Sequence, residues 1–221
     1  MDRNQVQLIY DKLKRFLPDV WEGKESIQYM KDNGCHHWKQ MEWPGFYFQF
    51  MCETILGDEE FMDIPGPRYG NVEFDGFRFI PWDFKAHSID PARGDVGKIP
   101  TNGYQETMQA IREYGEVCFI IASGESEYDT DGSFKAWHDA LKGGISRYEE
   151  ERITRQAPSR RRKTKFNVDE LIFVFVNEET IQYCGTFQAN FRNSNGIARN
   201  AKVMIDVNNP NLEIYKFDFR D

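Results

Sequence analysis

The sequence predicts an α/β (α+β) chain with a mixed central β-sheet flanked by helices and a β-rich C-terminal part. Three observations carry this expectation. Aromatic and β-branched residues alternate with near period 2 over 72–86, which reads as extended chain folded back on itself near 79–81. A helical pattern over 104–114 runs into the short apolar stretch Glu116-Val-Cys-Phe-Ile-Ile-Ala, which fits a buried central strand, so the order is hairpin, helix, strand. Residues 170–176, 180–191 and 201–219 then read as further strands. With 221 residues, 40% hydrophobic and 15% aromatic, the chain is long enough to bury a substantial core. One domain over 1–221 is expected, with a core about 44–122 and a β-rich part at 123–221.

At the start, Asp2 or Asn4 caps a helix to about Leu17, with Val6, Ile9, Leu13, Phe16 and Leu17 at amphipathic spacing and Pro18 stopping it. This is a packing or dimer helix. Residues 21–33 read as a second, weaker helix ended by Gly34. Cys35-His36-His37 invites a metal, but no fourth ligand stands at a recognised spacing, so these are read as structural or surface histidines. Pro44 suits the first turn of a third helix that runs to about Leu56 and is apolar nearly all round, so it should be central. Glu53 is its one acid. Residues 57–69, with Pro65-Gly66-Pro67, form a loop into the hairpin. Residues 88–102 read as a surface loop beside the hairpin end, which places Arg93, Lys98 and Asn102 within reach of a ligand there. Gln105 and Glu106 open the next helix, where capping is the simpler role. A polar loop is expected over 123–132 and a short helix over 133–141, with Phe134 and Trp137 inward.

Composition narrows the function. A net charge of -8 argues against a protein that coats nucleic acid non-specifically, since that affinity comes from neutralising phosphates. It leaves room for an enzyme with a local basic surface. No apolar run of about 18 residues and no signal-peptide pattern is found, so an intracellular, cytoplasmic protein is expected. Cys35, Cys52, Cys118 and Cys184 are scattered and read as reduced thiols, mostly core.

The chemistry concentrates in residues 74–87, where Asp75, Arg78, Asp83 and Lys85 interrupt an otherwise buried run. Asp83 and Lys85 are two apart on a strand and share a face; a turn near Phe79 places Asp75 across from Asp83. Two like charges on one face are costly, and Lys85 alone cannot balance both. A divalent cation resolves this, and hard oxygen ligands suit Mg2+, which is usually held by one or two carboxylates with waters and substrate phosphate. A lysine beside it can polarise water or stabilise phosphate in transit.

Asp75 and the Asp83-Phe84-Lys85 triplet on a hairpin resemble the PD-(D/E)xK nuclease superfamily. The wording Pro81-Trp82-Asp83-Phe84-Lys85-Ala86-His87 looks most like type II restriction endonucleases. The resemblance implies a restriction-endonuclease-like fold in which Asp75 and Asp83 bind Mg2+, the Phe84 carbonyl adds a ligand, and Lys85 works with the attacking water. It also implies that Glu53, on the helix before the hairpin, faces the metal, against the equally simple reading that Glu53 caps a solvent stripe. The sequence departs from the pattern in two ways: no proline precedes Asp75, and the spacing to Asp83 is short. If Asp75-Gly76 is instead a type I′ turn, the first acid becomes Glu73 or Asp63.

Two further stretches suit DNA. Residues 147–165 are the main basic concentration; Arg160, Arg161, Arg162 and Lys163 suit phosphate clamping, against the simpler reading of a solvated loop. In the polar loop 192–200, Arg192, Asn193, Asn195 and Arg199 are side chains able to read base edges, while Asn195-Gly196 is also a turn signal. The resemblance therefore implies a Mg2+-dependent, sequence-specific double-strand DNA endonuclease of prokaryotic type acting as a homodimer. The alternatives are a repair or structure-selective nuclease of the same superfamily, or a non-catalytic nucleic-acid-binding domain in which Asp75, Asp83 and Lys85 form only an ion-pair cluster on an edge strand.

Overall fold

The computed structural model describes residues 3–58, 60–90, 97–157, 161–188, 191 and 198–220. Helix α1 (Asn4–Phe16) buries Val6, Ile9 and Leu13 along one stripe. Its N-cap is Arg3, whose guanidinium reaches Glu116 at 3.0 Å and Glu213 at 2.5 Å instead of a side chain capping the helix. Strand β1 (Val20–Glu22) stands where the second helix was expected to begin, and α2 is confined to Gly23–Asp32. The cause is tertiary: Trp21 pairs with Phe166, and a Cβ on Gly23 would come within 2.6 Å of the Thr164 carbonyl. Helix α3 (Trp43–Leu56) has Pro44 in its first turn, as expected, and buries Trp43, Tyr47, Phe48, Met51, Cys52 and Leu56.

Short strands β2 (Arg68–Tyr69) and β3 (Val72–Glu73) pair with each other and lead into β4 (Gly76–Arg78) and β5 (Ile80–Ser88). Then follow β6 (Lys98–Gly103), α4 (Tyr104–Tyr114), β7 (Glu116–Tyr128), α5 (Ser133–Leu141), α6 (Arg147–Thr154), β8 (Lys163–Asn177), β9 (Gly185–Phe187), β10 (Lys202–Asp206) and β11 (Glu213–Asp218). The main sheet runs β1-β8-β7-β5-β4, and β11 joins β1 on the same outer side of β8. It is mixed: β5 and β7 are parallel, Trp82 to Ser88 against Cys118 to Gly124, with β6 and α4 forming the crossover a parallel pair demands. The remaining pairs are antiparallel.

Period 2 divides the core. Trp82, Phe84, Cys118, Ile120, Phe173 and Phe175 face α1, α2 and α3. Phe119, Ile121, Ile172 and Val174 face the other way, onto Ala110 and Ile111 of α4 and Val203 and Ile205 of β10. The structure is thus a mixed α/β arrangement with helices over one face and, over the other, α4 with a second sheet ordered β6-β10-β9. No helix among the described residues is long and apolar enough to cross a membrane. All four cysteines are free thiols, two of them buried.

Three further expectations are corrected. Residues 98–103 are strand rather than loop, because Lys98-Ile-Pro-Thr-Asn-Gly pairs with β10, a partner distant in sequence. Residues 123–128 extend β7 rather than forming a loop; their polar side chains are carried on a ribbon paired with the start of β8. Residues 180–191 hold only a 3-10 turn (Ile181–Tyr183) and β9 within their described part, not a continuous strand.

The β7–β8 ladder shifts register between Ser123 and Gly124. A Cβ on Gly124 would stand 1.9 Å from the Asn167 carbonyl oxygen and 3.1 Å from the Val168 Cα, both backbone and unable to yield cheaply. Gly124→Ala is therefore expected to destabilise by roughly 2–3 kcal/mol. Urea unfolding should show a lower midpoint with unchanged slope.

Candidate active site

The site is built by one tight hairpin. Phe79 takes φ 61°, a left-handed conformation unusual for a side-chain-bearing residue, and is 62% exposed at the tip. The strands on either side pair as Arg78 with Ile80, Phe77 with Pro81 and Gly76 with Trp82. Continued by one position, that register sets Asp75 opposite Asp83, as the sequence predicted. Both are buried, at 8% and 1% exposure. Asp83 and Lys85 lie beside Phe119 and Ile121 of β7, so they point toward α4 and the second sheet, while Trp82 and Phe84 fill the helical side.

The carboxylates are held by named partners. Asp75 Oδ2 accepts the Phe84 backbone N–H at 2.6 Å. Asp83 Oδ1 accepts from Asn102 Nδ2 at 2.6 Å, and its Oδ2 is ion-paired with Lys85 Nζ. The Lys85 ammonium also approaches the Phe84 carbonyl at 3.4 Å and is 28% exposed along its side chain.

Burial first, and then the charge of Asp83, push the Asp75 carboxyl well above the usual carboxylate range; Lys85 and the Phe84 N–H offset this only in part, and Glu53 adds to it. For Lys85, burial works against the charge, but Asp83 and Asp75 outweigh it and hold the ammonium above its ordinary value. Lys85 is therefore a fixed cation at neutral pH, suited to stabilising negative charge rather than to taking a proton. Glu53 on α3 is half-buried, accepts from Gln49 Nε2 at 2.8 Å, and is raised by burial, with His37 countering and Glu73 adding. It backs Asp75 electrostatically.

Of the three acids weighed as partner to Asp83, only Asp75 occupies the place. Glu73 is exposed and pairs with Arg68 at 3.7 Å, while Asp63 is exposed and bonds Phe77 through backbone alone in the bridge that extends the hairpin. His37 is exposed and stacks on Phe46 at 4.8 Å.

Sequence reasoning placed Asn102 beside the hairpin end but not as a partner of Asp83, and it missed Lys202. Asn102, read as part of a loop, is the neutral donor to Asp83. Lys202 on β10 is exposed and pairs with Gly103, the residue after Asn102, and partial desolvation, then the charge of Lys85, holds its ammonium below the ordinary value. Lys202 lines a cleft of about 440 Å3 together with Asn71, Gly103, Glu106, Arg199 and Asn200. A lysine on a strand far along the chain carries no local signal of this placement.

The nucleic-acid candidates fare differently. Arg93, Arg160, Arg192, Asn193 and Asn195 lie outside the described residues. Arg199 is exposed and lines the cleft with Lys202. Arg161 is exposed, Arg162 is buried, and Lys163 pairs with Glu42 at 3.2 Å. Other cations of the basic stretch are engaged within the protein: Arg147 with Glu151 at 3.1 Å, Arg152 with Glu149 at 2.7 Å and Lys165 with Glu22 at 3.2 Å. Lys163 and Lys165 stand at the far end of β7, opposite Tyr128 and Glu127, away from Asp83 opposite Phe119.

Among the described residues no group of three or more His, Cys, Asp or Glu is arranged to hold a metal ion. Mg2+ needs fewer, since one or two carboxylates with waters suffice. Asp75, Asp83 and the Phe84 carbonyl are hard oxygen donors. Asp75 is raised by burial first and by the charge of Asp83 second, and a cation between the acids would offset both, so this donor set fits Mg2+. No protein-family model, curated protein or solved structure matches the chain.

Proposed function

We propose that the chain is a Mg2+-dependent double-strand DNA endonuclease of the PD-(D/E)xK kind, with a restriction-endonuclease-like core and the sequence specificity of type II restriction enzymes. The observation that carries this reading is the pair of buried carboxylates facing each other across a one-residue turn, with an ammonium alongside. Asp75, Asp83 and the Phe84 carbonyl would hold Mg2+, with Glu53 behind. Bound Mg2+ would supply Lewis acidity at the phosphate oxygens. Lys85, kept protonated by its two acids, stabilises charge that develops on the phosphate. Lys202 and Arg199, on the cleft beside it, approach the neighbouring strand, and a homodimer matches a two-fold symmetric target.

Purified protein incubated with a long linear duplex in Mg2+ and in EDTA, beside Lys85→Ala, tests this. Discrete Mg2+-dependent fragments absent from the variant are expected. A Mg2+-dependent smear without discrete fragments would move the reading to a repair or structure-selective nuclease. Intact DNA at every salt concentration would leave the cluster as an internal ion pair. That second reading draws on the fact that Asp83 already has a partner on each oxygen.

Asn102 positions Asp83 without touching the reacting atoms. Asn102→Ala is expected to slow cleavage or weaken Mg2+ dependence by roughly 10–100-fold. The check is a Mg2+ titration of the cleavage rate, with an unchanged circular dichroism spectrum.

A further inference from the structure

A second cavity, of about 510 Å3, lies on the helical side of the main sheet and is lined by Lys39, Lys142, Ser146, Glu149 and Arg162 among others. Arg162 is 5% exposed, its Nε has no hydrogen-bond partner, and among the described residues no carboxylate pairs with it. A guanidinium is charged at any working pH, and burying it unpaired is costly unless something negative completes the site.

The neighbouring acids do not do so. Glu149 is held by Arg152 at 2.7 Å and Lys135 at 3.3 Å, and the Arg152 fork together with Lys135 takes its carboxyl down to about 2 against the effect of burial. Asp139 is shared by Lys135 at 2.6 Å and Lys142 at 2.7 Å. Five cations, Lys39, Lys135, Lys142, Arg152 and Arg162, thus stand around two acids, Asp139 and Glu149. His138, 1% exposed with Nε2 at 3.1 Å from the Trp38 carbonyl, gives no negative charge; burial, then Lys142 and Arg162, push it down to about 4, so it is neutral.

We propose that this cavity binds a phosphate-type oxyanion, with the Arg162 guanidinium on its wall giving charge-assisted hydrogen bonding and Lys39 and Lys142 supplying the remaining positive field. The site is separate from the carboxylate hairpin and does not rest on the nuclease reading. Its ligand is a free phosphate group or a phosphate of a nucleic-acid strand, which share the chemistry.

The test is calorimetric titration of the full chain with inorganic phosphate against chloride at matched ionic strength, without Mg2+. Saturable binding is expected, weakened roughly tenfold or more in Arg162→Met and several-fold in Lys39→Met. Lys39 is exposed, so its variant carries the test even if Arg162→Met does not fold. Competition by a short duplex in EDTA assigns the site to a strand phosphate, and absence of competition assigns it to a free phosphate; both support it. No phosphate-specific heat in the wild type, or equal binding by wild type and folded variants, overturns the proposal.

Discussion

Asp83→Asn is expected to reduce DNA cleavage by about 10^3-fold or more while leaving the fold intact. Asparagine keeps the shape of the side chain and can still accept the Asn102 bond, so packing beneath the second sheet is preserved. What disappears is the charge. Lys85 loses the partner that most strongly holds it protonated and in place, and the site loses one of its two hard anionic donors. Single-turnover cleavage of a labelled duplex in saturating Mg2+ reads the effect. A variant within tenfold of wild type would remove the carboxylates from the chemistry.

Asp75→Asn should abolish cleavage to a similar degree and, in contrast, make the metal-free protein more stable at neutral pH, by on the order of 1–2 kcal/mol. The folded-state pKa of Asp75 lies above the unfolded value because the carboxyl is buried and faces Asp83. Between the two values the native state holds a proton that the unfolded chain has released. The stability associated with that proton is complete below the ordinary carboxylate range and is lost as pH rises through the folded pKa. Asparagine does not titrate and can still accept the Phe84 N–H, so the variant lacks this loss. Urea unfolding at about pH 5 and about pH 8 should show the gap between variant and wild type widening with pH. Added Mg2+ should raise the melting temperature of the wild type and not that of the variant. A variant less stable than wild type at the higher pH would contradict the buried like-charge pair.

The parts of the structure that were readable from the sequence are those set by local pattern. Helix α4 begins and ends at the expected residues, and α3 starts one residue before Pro44 and ends at Leu56. The placement of Asp75 opposite Asp83 followed from period 2 and a turn at Phe79, which needs only adjacent residues. Lys202 was not readable, and nor was the bond from Asn102 to Asp83. Asn102 sits in a stretch with proline and glycine that looks like a loop and becomes strand only because Met204 to Asp206 pairs with Lys98 to Pro100. Lys202 is set beside Gly103 by that same pairing. The basic stretch showed a charge excess in sequence, but the sequence could not show that Glu42, Glu149 and Glu22 would engage so many of its cations.

The outer side of β8 has a consequence for how the molecule meets its own copies. Its backbone groups are paired with β1 at Lys165 to Asn167 and with β11 at Glu170 to Phe175, and Val168 and Asp169 are bonded to Asp19 and Phe219 between them. At the opposite margin β4 is only three residues long and is extended by the Asp63–Phe77 bridge. Among the described residues the open margins of this sheet are therefore the three-residue strands β1 and β4 and the six-residue β11, whose one strand partner is β8, so β11 is the edge on which another chain could add a strand. Residues Leu171-Ile-Phe-Val-Phe-Val are uncharged, strongly β-forming and free of proline. Beneath β11 they are harmless, but detachment of β11 would turn this strand into a template for fibrillar assembly.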